Sequence, residues 1–398
     1  MRLAVLALGM FAIGTDTFVI AGILGDIGRD LDVSTSAAGQ LVTAFALAYA
    51  LLSPLLATAT ASWPRRRVLL VALAVFTLGN LATAMAPNYT VALIARIVTA
   101  VGAALYAPNA SAAGTSLVPP ERRARALALV SGGLGAAMAI GAPLGTWLGG
   151  HTGWRATLWL VTALGAIAFV GVAAALRDLP AVESVPLRER LRPLGTLAAQ
   201  RVLAVTLGLY VAAYTVYPYL EEILGNATDG SAGLLAWALT AFGVGTFGGA
   251  VIAGGVTDRF GSRRVVVGGL AGVGAALLLL AVVEDSFPAA LATLVVWGAA
   301  AWSAALAQIH RMIALAPHSA PVYVSLNASV QYAGIALGSA LGGSLLHSTG
   351  AHALPAYAGL LLLAVAAFAA LTTRSEARVV ASGADTANAE HRAVLVAE

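Results

Sequence analysis

Two ionisable residues interrupt runs that are otherwise apolar: Asp16, within residues 3–24, and Arg96, within residues 90–114. Charges in such settings are rare and costly, so each needs a reason. A carboxylate at Asp16 suits proton exchange or recognition of a cationic or polar group. The plainer reading is a structural pair with Arg96, or a carboxylate satisfied by Thr15 and Thr17. Arg96 suits gating or control of a neighbouring carboxyl's protonation; its plainer role is hydrogen bonding between helices. At 1.5 Å per residue, Asp16 lies roughly 20 Å along its run, and Arg96, entering from the opposite side, reaches a similar depth.

Other residues suit contact with a solute. Tyr210, Tyr214 and Tyr217 fall on roughly one side of the run 201–224, and the first two can stack on an aromatic compound. Tyr217 and Tyr219, with Glu221 and Glu222, read as an aromatic belt at a membrane interface. Asn327 and Gln331 are four apart and share a helix face, which suits a water-facing surface or bonds between helices. Gly141, Pro143 and Gly145, and later Gly334, Gly338, Gly342 and Gly343, permit close helix contact. Pro143 removes a backbone N–H and should bend its helix. The six His are scattered, Cys is absent and no catalytic set converges, so no metal, cofactor or enzyme chemistry is expected. All 22 basic residues are Arg, so a phosphate-cradling loop with its Lys is missing, which argues against ATP-driven work by this chain alone.

The elements that hold these residues are membrane helices. The 398 residues are 60% hydrophobic and 10% charged, with mean hydropathy +0.88. Soluble domains carry about 25% charged residues, so lipid must solvate most of this outer face. Runs long enough to cross a bilayer fall at 3–24, 39–60, 68–86, 90–114, 126–148 and 156–176. Six more fall at 201–224, 231–255, 265–283, 288–311, 320–346 and 352–373, the run 320–346 including an end that does not span. The expected fold is all-α, with twelve transmembrane helices in two groups of six. The first run contains Asp16 and is followed by many like it, so it reads as a span and not as a cleaved signal. Residues 177–200 form a polar linker with one short surface helix, and residues 374–398 a polar, disordered tail.

Arginine placement sets the orientation. With the N-terminus inside, 19 Arg fall in inside segments, Arg29 and Arg155 fall outside, and Arg96 lies within a span. This positive-inside bias puts both termini in the cytoplasm, in a multi-pass arrangement in the inner or plasma membrane. It also explains the net charge of +4 without nucleic acid. An internal repeat supports two parallel halves: Trp63-Pro64-Arg65-Arg66-Arg67-Val68 matches Phe260-Gly261-Ser262-Arg263-Arg264-Val265 at an offset of 197 (263 − 66).

Over residues 3–373 these features resemble the major facilitator superfamily, and within it the twelve-helix drug:proton antiporters and the arabinose or chloramphenicol efflux branch. Gly254-Gly255-Val256-Thr257-Asp258-Arg259-Phe260-Gly261-Ser262-Arg263-Arg264 is similar to the family's cytoplasmic loop signature. In the first half Ala61 stands where Asp258 stands, Pro64 replaces the glycine, and Arg66 and Arg67 are retained. Leu93-Ile94-Ala95-Arg96, followed by Gly102, resembles the fourth-helix signature, in which the Arg is tied to proton coupling. Gly141, Pro143 and Gly145 resemble the fifth-helix signature of exporters. Gly153-Trp154-Arg155 and Gly14-Thr15-Asp16-Thr17-Phe18 also fit the branch. The resemblance implies a central cavity exposed alternately to each side, a small-molecule substrate, proton coupling, and function as a monomer in the bilayer. Its rivals are a sugar or nucleoside permease of the same fold, and a membrane receptor or enzyme.

Overall fold

The computed structural model describes residues 1–176, 179, 186–316 and 319–372. The tail 374–398 and most of the segment 177–185 lie outside the described residues. Within them every regular element is helical. The long helices are α1 (Arg2–Val19, extended by a 3₁₀ turn at Ile20–Gly22), α2 (Thr35–Ala59), α3 (Arg65–Ala84) and α4 (Tyr89–Ser116). Then come α5 (Arg123–Ala136, continuing to Thr152), α6 (Trp154–Ala175), α7 (Leu197–Val216) and α8 (Ala232–Phe260). The last four are α9 (Ser262–Val283), α10 (Phe287–Leu315), α11 (Ala320–Thr349) and α12 (Ala351–Thr372).

Eleven of these are long and apolar enough to cross a membrane, so this is a multi-pass membrane protein. The exception to the expected twelve is α11. It is 30 residues long, but Ser325, Asn327, Ser329 and Gln331 dilute its apolar character. Helix ends agree with the apolar runs to within a few residues, except that α7 starts at Leu197, inside the segment expected to be linker. That segment also holds a short helix, Leu187–Leu191. Start signals are local: Ser34 Oγ accepts the Ala37 N–H before α2, and Asn88 Oδ1 accepts the Val91 N–H before α4. At Pro143 the helix does not break. A π turn at Ala137–Gly141 absorbs the missing N–H, and α5 continues through Ala142–Thr152.

The repeat is visible in side-chain geometry. Arg66 donates to Ala173 O at 2.8 Å, and Arg263 donates to Ala370 O at 3.2 Å. Both partners are offset by 197 (263 − 66 and 370 − 173). Gly153 and Gly350, 197 apart, end α5 and α11 at φ +92° and +83°, a conformation that glycine adopts without strain. In the first half, Arg155 and the Trp154 indole both donate to Asp30, which ties the α1–α2 loop to α6. The Arg155 hydrogen bond holds the Asp30 carboxyl below its usual range. This tie therefore stabilises above the unfolded carboxylate pKa and weakens as pH falls through the folded one.

The first half of the chain (α1–α6) meets the second (α7–α12) along two seams. At one, α8 presses on the π turn of α5, where a Cβ on Gly243 would come 2.6 Å from Ala139 Cα. At the other, α2 packs on α11 and the Tyr219 hydroxyl fills the space left by Gly39 and Gly343. The helix ends are chemically unequal. One end carries Arg65–Arg67, Arg122, Arg123 and Arg259–Arg264; the other carries Asp26, Asp30, Glu221, Glu222 and Glu284. Among the described residues, hydrogen bonds between the halves lie from mid-helix toward the acidic end. Glu221 accepts from Gly25 N (3.1 Å), Thr35 donates to Glu222 (2.8 Å), Ser36 to Gly343 O (2.7 Å) and Ser339 to Gly39 O (3.0 Å). The halves are thus tied together at the acidic end.

Thr35→Cys with Glu222→Cys should cross-link in high yield through a short bifunctional thiol reagent. Adding Gly39→Leu, which drives a side chain into the Tyr219 hydroxyl, should lower that yield several-fold by opening the seam. Equal yields by gel shift would refute the wedge role of Gly39.

Candidate functional site

Asp16 and Arg96 meet. Arg96 Nη1 donates to Asp16 Oδ1 at 2.6 Å, and each residue is only 1% exposed. The guanidinium also lies over the Phe45 ring of α2, 4.5 Å from its centroid. The neighbouring hydroxyls do not help the carboxylate: Thr15 donates to Phe11 O and Thr17 to Ile13 O, four residues back on their own helix. Among the described residues, Asp16 Oδ2 and Arg96 Nε are buried and find no hydrogen-bond partner. The pair therefore joins α1 to α4 with one carboxylate oxygen and one guanidinium nitrogen unused. Charges of this kind repay their desolvation only in good geometry with all donors and acceptors satisfied.

A cavity of about 90 Å³ lies beside the pair. Both halves line it: Thr17 and Phe18 of α1 and Met138 of α5 from the first, and side chains of α7, α8, α10 and α11 from the second. Eight of its 17 lining residues are aromatic, and none is charged. Tyr214, Tyr217, Phe242 and Trp297 form a chain of edge-on and tilted rings with centroids 5.0–5.6 Å apart. The lining is mostly apolar; its polar side-chain groups are Thr17, Thr246, Gln331, the tyrosine hydroxyls and the indole N–H groups of Trp297 and Trp302. This surface can stack on a flat apolar solute and offers little to a solute that needs many hydrogen bonds.

Of the four residues expected to face a solute, Tyr210, Tyr214 and Gln331 line the cavity. Asn327 does not. It is buried, with its Oδ1 accepting from Thr206 at 2.8 Å, in a network with Gln308 and Arg311 that joins α7, α10 and α11. Tyr217 and Tyr219 depart from the interface belt expected of them. They are 3% and 0% exposed, and donate to Phe18 O (3.1 Å) and Ser339 O (2.7 Å). A seam two tyrosines wide needs buried hydroxyls with partners, and α1 and α11 supply them. Gly102 packs on α3, while Gly141 and Gly145 let α5 approach α1, with Pro143 buried between them.

The loop arginines lie far along the chain's Arg-rich end. Gly261 turns α8 into α9 at φ +80°, Arg259 lies over Phe260, and Asp258 and Arg264 are exposed. Arg66 and Arg263 brace helix ends as described, and Arg67 lies over Trp63. Sequence reasoning missed Tyr332, Tyr49, Phe242, Trp297 and Trp302. Aromatic residues in an apolar run carry no mark of which face they occupy; Tyr332 had only the adjacent polar Gln331 as a signal.

The Major Facilitator Superfamily model matches residues 6–220 and again 202–395. The chain is 32% identical over 345 residues to the uncharacterized MFS-type transporter YbcL of Bacillus subtilis (strain 168), covering 86% of this chain and 88% of that one. It is 34% identical over 393 residues to the chloramphenicol resistance protein of Streptomyces lividans, covering 94% and 96%. Its fold is similar to the crystal structure of a D-xylose-proton symporter, with TM-score 0.76 and 16% identity over 92% of this chain and 96% of that one. The family match over most of the chain makes this a secondary active transporter, not an enzyme. The chain belongs to the Major Facilitator Superfamily.

Arg96→Leu, which leaves Asp16 buried without its cation, should cost about 3–5 kcal/mol and lower the thermal midpoint in detergent. Adding Asp16→Asn should return most of that loss. Additive destabilisation in the double variant would show that the two residues do not act as a pair.

Proposed function

We propose that this protein exports small, uncharged, hydrophobic or aromatic compounds by exchange for protons. The observation that carries the reading is the cavity: aromatic, free of charged side chains, and adjacent to a buried but incompletely satisfied Asp16–Arg96 pair. In this reading a proton from outside joins Asp16 and releases Arg96, and the halves rock to expose the cavity on the other side. The relative named for chloramphenicol resistance makes chloramphenicol-like compounds the first to test.

The same reading takes α11 as a twelfth span, since its Gln331 turns to the cavity and its Asn327 to the Thr206–Gln308 network. Residues 1–176 and 201–373 then form two six-helix bundles, each followed by a cytoplasmic segment: the linker 177–200 and the tail 374–398. With both termini in the cytoplasm, the tied acidic end faces outward and the cavity is reached from inside. The functional unit is the monomer in the cell membrane, and Asp258, Arg259, Gly261, Arg263, Arg264, Arg66 and Arg67 gate its inner side. A sugar or nucleoside permease fits less well, because the cavity lining is mostly apolar.

Proteoliposomes with an imposed pH gradient should move chloramphenicol or a related aromatic amide, and a protonophore should abolish that movement. Asp16→Asn should reduce gradient-driven transport to the level of protein-free vesicles. Wild-type transport by Asp16→Asn would overturn the coupling role, and accumulation of sugars by whole cells would favour the permease.

A further inference from the structure

Asp16 has no open route to the cavity, although the next residue, Thr17, lines it. The Asp16 side chain is 0% exposed. One aromatic side chain touches both the cavity and the packing around the pair. Tyr332 of α11 lines the cavity, and its ring stacks on Tyr49 of α2 with centroids 3.6 Å apart and planes 17° apart. It also lies 6.4 Å from Phe45, the ring beneath Arg96. Thr17, the neighbour of Asp16 in the chain, lines the same cavity as Tyr332. Among the described residues, Tyr332 alone packs against both large apolar cores, that of the first half and the one that extends through the second.

We propose that Tyr332 is the gate between the solute cavity and the Asp16–Arg96 pair. Seated on Tyr49, its ring keeps water and protons from Asp16 while the cavity is empty. An aromatic solute offers Tyr332 a competing surface from the cavity side and draws the ring off Tyr49. The path past Thr17 to the unpartnered Asp16 Oδ2 then opens. Stacked pairs contribute on the order of 1 kcal/mol, so the seat holds in the empty protein yet yields to another ring. No covalent chemistry is involved, and the proton moves only between water and the carboxylate. Tyr332 is thus a positioning residue: it sets when the carboxyl is reachable. The inference rests on the export reading, in which Asp16 is the proton site.

The test is proton leak in proteoliposomes without solute, followed by an internal pH dye under a clamped membrane potential. The wild type should be tight. Tyr332→Ala should leak about fivefold faster, the factor expected for loss of one ring contact. Adding Asp16→Asn should remove the leak. Tyr332→Phe, which keeps the ring, should leak far less than Tyr332→Ala. Tyr49→Leu, which removes the seat from the other half, should reproduce the leak and serves if Tyr332→Ala fails to fold. Thermal melts and retained solute binding identify folded variants. A folded Tyr332→Ala or Tyr49→Leu as tight as the wild type overturns the gate, and so does a leak that persists in the presence of Asp16→Asn. These failures differ from failure of the export reading, in which Asp16→Asn itself transports solute like the wild type.

Discussion

A carboxylate and a guanidinium held 2.6 Å apart away from water set the terms for the rest of the structure. Neither charge is tolerable alone at that depth in an apolar layer, so α1 and α4 must meet at this height. α2 must then supply the Phe45 face beneath the guanidinium. α5 must come close on the other side of α1, which small residues at 141 and 145 allow. The fit is still incomplete. One oxygen of Asp16 and the Nε of Arg96 lack partners, so the pair is held by surrounding packing more than by its own bonds. Such a site responds to any change in that packing.

The packing divides into contacts within each half and contacts between the halves. Within each half, side chains brace neighbouring helices, as Arg66 does on α6 and Arg263 on α12. Between the halves, direct hydrogen bonds among the described residues run from Phe18–Tyr217 to the acidic end. Elsewhere the halves touch through glycine-lined backbone contacts and rings. The tied acidic end and the cavity belong to one conformation of the two halves.

Much of this was legible in the sequence. A helix that crosses a bilayer must be long and apolar, so the runs gave the helix ends to within a few residues, and the 197-residue offset reappears in the Arg66–Ala173 and Arg263–Ala370 bonds. Asp16 and Arg96 stood out because charges are scarce there. What failed was the assignment of faces. Asn327 and Gln331 share a helix face, yet one closes a network with Thr206 and the other meets the cavity, since the neighbour and not the periodicity decides. Tyr217 and Tyr219 sit near a membrane boundary in the chain but point inward, because α1 and α11 offer carbonyls to their hydroxyls. α11 falls short as an apolar run because so much of its surface faces protein.

The cavity and the ion pair are neighbours without sharing a surface, and this separation bears on mechanism. A cationic solute could displace a proton from Asp16 by direct competition at one carboxylate. The lining carries no charge and Asp16 is closed off, so an uncharged solute cannot compete in that way. In the proposed cycle, coupling must pass through something that both sites touch. The candidates are few: α1, which carries Asp16 and Thr17 on consecutive positions, and the Tyr332 ring, which reaches from the cavity wall to Tyr49. A coupling that runs through shared packing places weak demands on the shape of the solute and strong ones on its ability to stack. A mostly apolar, aromatic wall meets both conditions.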